Sequence, residues 1–143
     1  MLISTRGRYA LRVMIDLAEH RNGTYIPLKE VAERQEISEK YLESIIKVLV
    51  RAGLLEGARG KGGGYLLTRA PEDYTVGEIL RLMEGELTPV ACLGETAKPC
   101  TRSPECRTLP MWQELYDMIN AFFDNRTVAD LMEHGNSGGD YVV

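Results

Sequence analysis

Three cysteines, Cys92, Cys100 and Cys106, stand within fifteen residues of a 143-residue chain that has no other cysteine. Gaps of seven and five residues separate them, and Pro89, Gly94, Pro99 and Pro104 interrupt the same stretch. Soft thiolates on an adaptable backbone suit an iron–sulfur cluster, which takes four ligands in all. Zinc uses similar donors, but no Cys-x2-Cys knuckle is present. A thiol redox switch and cysteines with no site at all stay open as competing accounts. An odd cysteine count argues against a disulfide scaffold.

A second group of residues could meet a polyanion. Arg59-Gly60-Lys61-Gly62-Gly63-Gly64 joins two strand-like segments, Leu54–Ala58 and Tyr65–Thr68. Glycines at a hairpin tip let the chain approach closely, and Arg59 and Lys61 can neutralise phosphates. A nucleotide-binding loop is excluded, because Gly62 follows Lys61 where Ser or Thr is required. Charge is divided in the same sense. Residues 1–70 carry 12 Lys and Arg against 8 Asp and Glu, and residues 71–143 carry 5 against 13. A mildly basic first half suits contact with a polyanion, and an acidic second half keeps its distance.

The elements that must position these groups are helical. Ser4 or Thr5 caps a helix to His20, with Tyr9, Leu11, Val13, Met14, Leu17 and Ala18 as its apolar stripe. Arg21–Thr24 is a turn cluster, and Tyr25-Ile26-Pro27 is extended, since the residue before proline avoids the helical region. Leu28–Gln35 is a second helix. After Glu36-Ile37, Ser38 caps a third helix ending at Gly53. Leu42, Ile45, Ile46, Leu49 and Val50 form its buried face, with Lys40, Glu43, Ser44, Lys47 and Arg51 on the other. Thr75–Glu84 is a helix with Val76, Ile79, Leu80 and Leu82 apolar, and periodicity then vanishes until about Glu105. Leu109–Phe123 is strongly amphipathic. Thr127 opens a last helix, with Asp130 placed as a capping-box partner. The acidic residues fall at helix-surface spacing and read as solvated.

Helix, helix, tight turn, helix and basic hairpin make a mainly α, winged helix-turn-helix fold with a C-terminal dimerisation helix. Two short helices can hold a third in the major groove while the hairpin lies along the backbone or minor groove. The expected DNA-contacting set is Thr5, Arg8 and Tyr9, then Ser38, Lys40, Tyr41, Glu43, Ser44 and Lys47, then Arg59, Gly60, Lys61 and Gly62. Glu43 can accept from a cytosine amine but is repelled by phosphate, so it acts as a sequence filter. Trp112, Leu115, Tyr116, Ile119, Phe122 and Phe123 give the Leu109–Phe123 helix more apolar surface than a peripheral helix of a small monomer hides, so they are expected at a dimer contact. The chain divides into residues 1–85 for DNA binding, 86–108 as a cysteine-containing sensor loop, 109–134 for dimerisation and 135–143 as a flexible tail.

The segments ISTRGRYALRVMIDLA, IPLKEVAERQEISEKYLESIIKVLVRAGLLEGARGKGGGYLL and TVGEILRLMEG resemble the Rrf-two (BadM) family of bacterial winged-helix regulators over residues 2–133, with RGKGGGYLL the most specific piece. The resemblance implies a homodimer on a partly palindromic double-stranded operator, with the Leu109–Phe123 helix as its contact. Cysteine spacing is similar to that of the cluster-binding members. Those place a His at the third position after the last Cys, where this chain has Leu109. Nitric-oxide-sensing relatives take a carboxylate from the partner's first helix, where this chain has Arg8. An iron–sulfur cluster, [2Fe–2S] ahead of [4Fe–4S], is therefore expected on Cys92, Cys100 and Cys106 with its fourth ligand open among Glu95, Glu105 and His134. The resemblance also offers a cluster-free alternative, a regulator of cysteine metabolism controlled by a cysteine-synthesis enzyme or by thiol redox state. The end Gly139-Asp140-Tyr141-Val142-Val143 could then dock into the partner.

No nucleophile–His–acid arrangement supports an enzyme. The opening MLISTRGRYALRVMIDLAEH lacks a signal peptide's apolar stretch, and no apolar run approaches the roughly 18 residues of a membrane span. A cytoplasmic regulator with no membrane partner is the expectation.

Overall fold

The computed structural model describes residues 2–136, with side-chain surroundings as far as Met132. Helix α1 spans Thr5–Glu19, and the Ser4 hydroxyl caps it by accepting from the Gly7 N–H at 3.2 Å. Helix α2 (Leu28–Gln35) ends at Glu36, which turns the chain with φ 54°, a left-handed value uncommon outside glycine. Helix α3 (Glu39–Arg51) starts at the Ser38 cap and stops before Gly53, at φ 82°. Strands β1 (Leu55–Ala58) and β2 (Gly64–Leu67) pair antiparallel, with Leu55 opposite Leu67 and Ala58 opposite Gly64.

Ile26 extends this hairpin. Its N–H and carbonyl exchange hydrogen bonds with Tyr65 at 3.0 and 2.9 Å, so the segment before α2 forms a rung beside the wing. Gly64 permits the approach: a Cβ there would strike the Ile26 carbonyl, and its φ of 148° suits glycine.

Helix α4 (Val76–Glu84) is capped by Thr75, helix α5 covers Leu109–Asp124, and helix α6 covers Val128–Asn136. The expected capping box opens α6, where the Thr127 N–H donates to Asp130 Oδ2 at 2.9 Å and the Asp130 N–H to Thr127 Oγ1 at 3.2 Å. Short 3-10 turns at Pro71–Asp73 and Ser103–Glu105 have no periodic signal in the sequence. Helix α1 lies at the centre, with Ala10, Val13, Met14 and Leu17 packed among Leu42, Ile45, Ile46 and Leu49 of α3 and Ile79 of α4.

Three expectations change. Val50 and Leu82 are each 36% exposed, because Val50 sits at the edge of the α3 stripe and Leu82 off the line of Val76, Ile79 and Leu80. Asp16 is buried rather than solvated. Its carboxylate accepts from Arg34 Nε at 3.0 Å and Nη2 at 2.7 Å and from Gln35 Nε2 at 2.8 Å, which ties α1 to the end of α2. That hydrogen bonding raises the Arg34 pKa further.

Candidate nucleic-acid interface and cysteine segment

A groove runs between α3 and the wing. Glu39, Glu43 and Lys47, four residues apart and so on one helix face, line one side; Arg59, Gly60 and Tyr65 line the other, and Pro27 and Lys29 close one end. Among the described residues Lys47, Arg59 and Lys61 form no ion pair, which leaves their charge for an external anion. The wing tip is a turn in which the Gly63 N–H donates to the Gly60 carbonyl at 3.0 Å, with left-handed Gly62 at its third position. Lys61 therefore projects at the apex, exposed together with Gly60 and Gly62.

Apart from Lys61 and Gly62 at the wing apex, the expected contact residues divide into three groups. Glu43, Lys47, Arg59 and Gly60 meet in the groove. Lys40, Thr5 and Arg8 are exposed, the last two hydrogen-bonded to each other on the first turn of α1 at 3.1 Å. The remainder already do structural work. Ser38 accepts from the Tyr41 N–H as helix cap. Ser44 donates to the Tyr41 carbonyl at 2.7 Å and accepts from Arg6 Nη1 at 3.2 Å. Tyr9 and Tyr41 stack edge to face, 5.7 Å between centroids, with the Arg12 guanidinium 5.1 Å over Tyr9. Lys29, Glu39 and Arg6 escaped the sequence reading. Lys29 follows Pro27, but only the Ile26–Tyr65 rung brings it to the wing.

The cysteine segment consists of two small closed loops. Glu86 Oε1 accepts from the Glu95 and Thr96 N–H groups at 2.7 and 3.2 Å, closing a ring around exposed Cys92. The carbonyl of exposed Cys100 accepts from the Ser103 N–H and hydroxyl, leading through a 3-10 turn to half-buried Cys106. Cys106 Sγ lies 3.4 Å from Thr108 Oγ1. Hydrogen bonding from the Thr108 hydroxyl, then from the Thr108 and Leu109 N–H groups, together with the Arg102 charge, lowers the Cys106 pKa. Among the described residues no three His, Cys, Asp or Glu side chains converge as a metal site. The donor set suits a cluster in kind, yet the thiols are not gathered here and Glu95 and Glu105 complete no set. The His134 side chain and the 139–143 tail lie outside the described residues.

Along α5, Ile119 and Phe123 pack on Val76, Leu80 and Leu87 of their own chain. Trp112 and Tyr116 are half-buried, whereas Leu115, Met118 and Phe122 are exposed and line an apolar groove with Ile119 and Phe123. Met111 and Met118, at 52% and 61% exposure, extend this surface beyond the aromatic stripe read from the sequence. Among the described residues no helix is long and apolar enough to cross a membrane.

Comparison with known proteins joins these features. The chain is 37% identical over 134 residues to the HTH-type transcriptional regulator CymR of Bacillus subtilis, covering 94% of this chain and 91% of that one. The solved structure of that organism's CymR, described as its global cysteine regulator, superposes with a TM-score of 0.75 over 94% of this chain and 98% of the other. The regulator IscR of Erwinia tasmaniensis is 34% identical over 134 residues, 94% of this chain and 80% of its own. The solved structure of T. potens IscR, 33% identical, gives a TM-score of 0.73 over 100% of this chain and 94% of that one. These relatives are transcriptional regulators, not enzymes. Residues 3–134 match the Rrf2 family, described as iron-dependent transcriptional regulators, and the chain belongs to that family.

Proposed function

We propose that this transcriptional regulator binds a partly palindromic operator as a homodimer, and that chemistry at its cysteine segment sets operator affinity. The groove between α3 and the wing carries this reading. Glu43, Lys47 and Arg59 line it together, and in this reading the Glu43 carboxylate discriminates bases while the two cations hold phosphate. The apolar groove on α5 takes a second copy, whose own α5 presents the same exposed Leu115, Met118 and Phe122. Two heads about one DNA turn apart then read two half-sites. Selection from random duplexes tests this. The expected result is an enriched inverted repeat; recovery of no preferred sequence overturns it.

For the segment itself, the first reading is an iron–sulfur cluster on Cys92, Cys100 and Cys106. Three soft donors on an irregular segment, with none elsewhere in the chain, support it, as do the relatives named IscR. Bound there, the group would supply a redox- and oxygen-sensitive cross-link of the segment. Oxygen-protected isolation with iron and sulfide analysis is the test. Colourless, iron-free protein, with a spectrum unchanged when all three cysteines become Ala, removes the reading. The second reading is cluster-free control through thiol oxidation or a cysteine-synthesis enzyme. Separate, accessible thiols and the relatives named CymR favour it. Copurification of a synthase in place of iron distinguishes the two.

A further inference from the structure

Glu84 closes α4, and one residue separates it from the segment that holds the cysteines. Its Oε1 accepts from both the N–H and the hydroxyl of Ser4, at 2.9 and 2.5 Å, across 80 residues of chain. Two local preferences are set aside for this contact. A carboxylate at a helix C-terminus opposes that helix's dipole, and Glu84 is favoured only because the α1 N-terminus faces it. Gly7 weakens the first turns of α1 relative to Ala, yet a Cβ there would collide with the same carboxylate oxygen. Gly7 is buried and also lies against Leu80, so the missing side chain serves both the α1–α4 approach and the Glu84 contact; positions that break local rules in this way are where functional demands are expected.

The contact continues toward DNA. Ser4 caps α1; two residues on, Arg6 donates to Ser44 Oγ at 3.2 Å, and Ser44 donates to the Tyr41 carbonyl inside α3. Three separate elements, the end of α4, the start of α1 and the middle of the recognition helix, are thus joined side chain to side chain. We propose that Glu84 is a positioning residue that transmits the state of the cysteine segment to α3 through Ser4 and Arg6. This rests on the reading that the segment sets operator affinity. A displacement at residue 85 moves Glu84, withdraws the acceptor from the α1 cap and shifts the Arg6 anchor beneath Ser44, one residue from Glu43.

Spatial contiguity alone does not demonstrate coupling, so the readout is a coupling ratio. For the full-length protein on its selected operator, Kd is measured by fluorescence anisotropy with cysteines intact and in the Cys92→Ser/Cys100→Ser/Cys106→Ser variant. The wild-type ratio of the two is expected within the roughly 5- to 150-fold span of coupled sites. In the Glu84→Ala background the ratio falls to within about twofold of one, whereas Glu84→Gln, whose amide oxygen still accepts from Ser4, retains most of it. Arg6→Ala, which leaves the α1–α4 contact in place, collapses the ratio from the other end. A purely structural role weakens both affinities and leaves their ratio unchanged; an unchanged ratio in Glu84→Ala or in Arg6→Ala overturns the proposal. If the wild-type ratio is itself one, the sensing reading fails and the relay falls with it.

Discussion

Helices α1 to α4 each bury three or more residues, and Ser4, Ser38 and Thr75 cap α1, α3 and α4 from within the chain. Helix α5, at 16 residues the longest among those described, buries none. Ahead of it, the cysteine segment is held by backbone bonds to Glu86 and Ser103 and contributes only Leu87 to the core clusters. The head is a completed object. The region after it leaves Cys92, Cys100, Met111, Leu115, Met118 and Phe122 exposed, as the proposed contacts with a second chain and with a reactant require. Fully burying a Leu, Met or Phe gains about 1.5–3 kcal/mol; the exposed ones on α5, at 36% to 61% exposure, forgo a proportionate part of this, which a partner helix would recover.

The largest expected effect comes from charging that surface. Leu115→Glu should leave the fold intact, because the side chain touches no core cluster, yet turn a sedimenting dimer into monomer. Operator affinity should then drop on the order of 100-fold or more, since the two half-sites lose their linkage. A monomeric wild type, or a variant that sediments as a dimer, breaks the comparison at its root.

The head should respond in the opposite manner. Asp16→Asn removes the charge from a buried site that meets Arg34 and Gln35, and should destabilise the chain by about 3 kcal/mol. Urea unfolding followed by circular dichroism reads this. A shift no larger than that of a surface substitution would mean that the α1–α2 tie is not a keystone of the head.

These two regions also differed in how far the sequence revealed them. Caps at Ser4, Ser38, Thr75 and Thr127 are local signals, so helix starts could be placed within a residue. The Asp16 pair was hidden because its partners lie 18 and 19 residues away on another helix, and nothing in helical spacing distinguishes a solvated carboxylate from a paired one. In the groove between α3 and the wing, the shared lining by Glu43, Lys47 and Arg59 was legible from helix face and wing composition. Lys29 was not, because it depends on the Ile26–Tyr65 rung, nor was the engagement of the Ser44 hydroxyl by Arg6, which joins residues 38 apart in the chain. For the cysteines, residue type was plain and mutual position was not: Cys92 sits in one small loop and Cys100 and Cys106 flank another, with no α-helix or strand to fix a register between them.

A smaller effect separates the wing from the recognition helix. Lys61 stands at the tip of the wing, outside the groove that holds Glu43. Lys61→Ala should weaken binding to all sequences alike and reduce the slope of log K against log salt by about 0.9, the loss of one phosphate contact. Glu43→Ala should leave that slope nearly unchanged and broaden the set of sequences recovered in selection. An unaltered salt slope for Lys61→Ala would mean that the wing tip does not touch a phosphate.

The smallest effect probes the chemistry of the outward region. In metal-free protein the Thr108 hydroxyl, with the N–H groups at the start of α5 and the Arg102 charge, favours the Cys106 thiolate over the thiol. A lowered pKa means that deprotonation occurs at lower pH, so Cys106 reacts with iodoacetamide at pH values where an ordinary thiol is still protonated. Thr108→Ala removes the first of these donors and moves the labelling profile of Cys106 toward higher pH. At pH 7 the rate should slow by a factor of about two to three, because the remaining N–H donors and Arg102 still act. Mass spectrometry of the Cys106 peptide across a pH series reads the shift directly. A profile that Thr108→Ala leaves in place would show that the Thr108 hydroxyl does not organise this thiol, whose environment would then rest on the N–H groups and Arg102 alone.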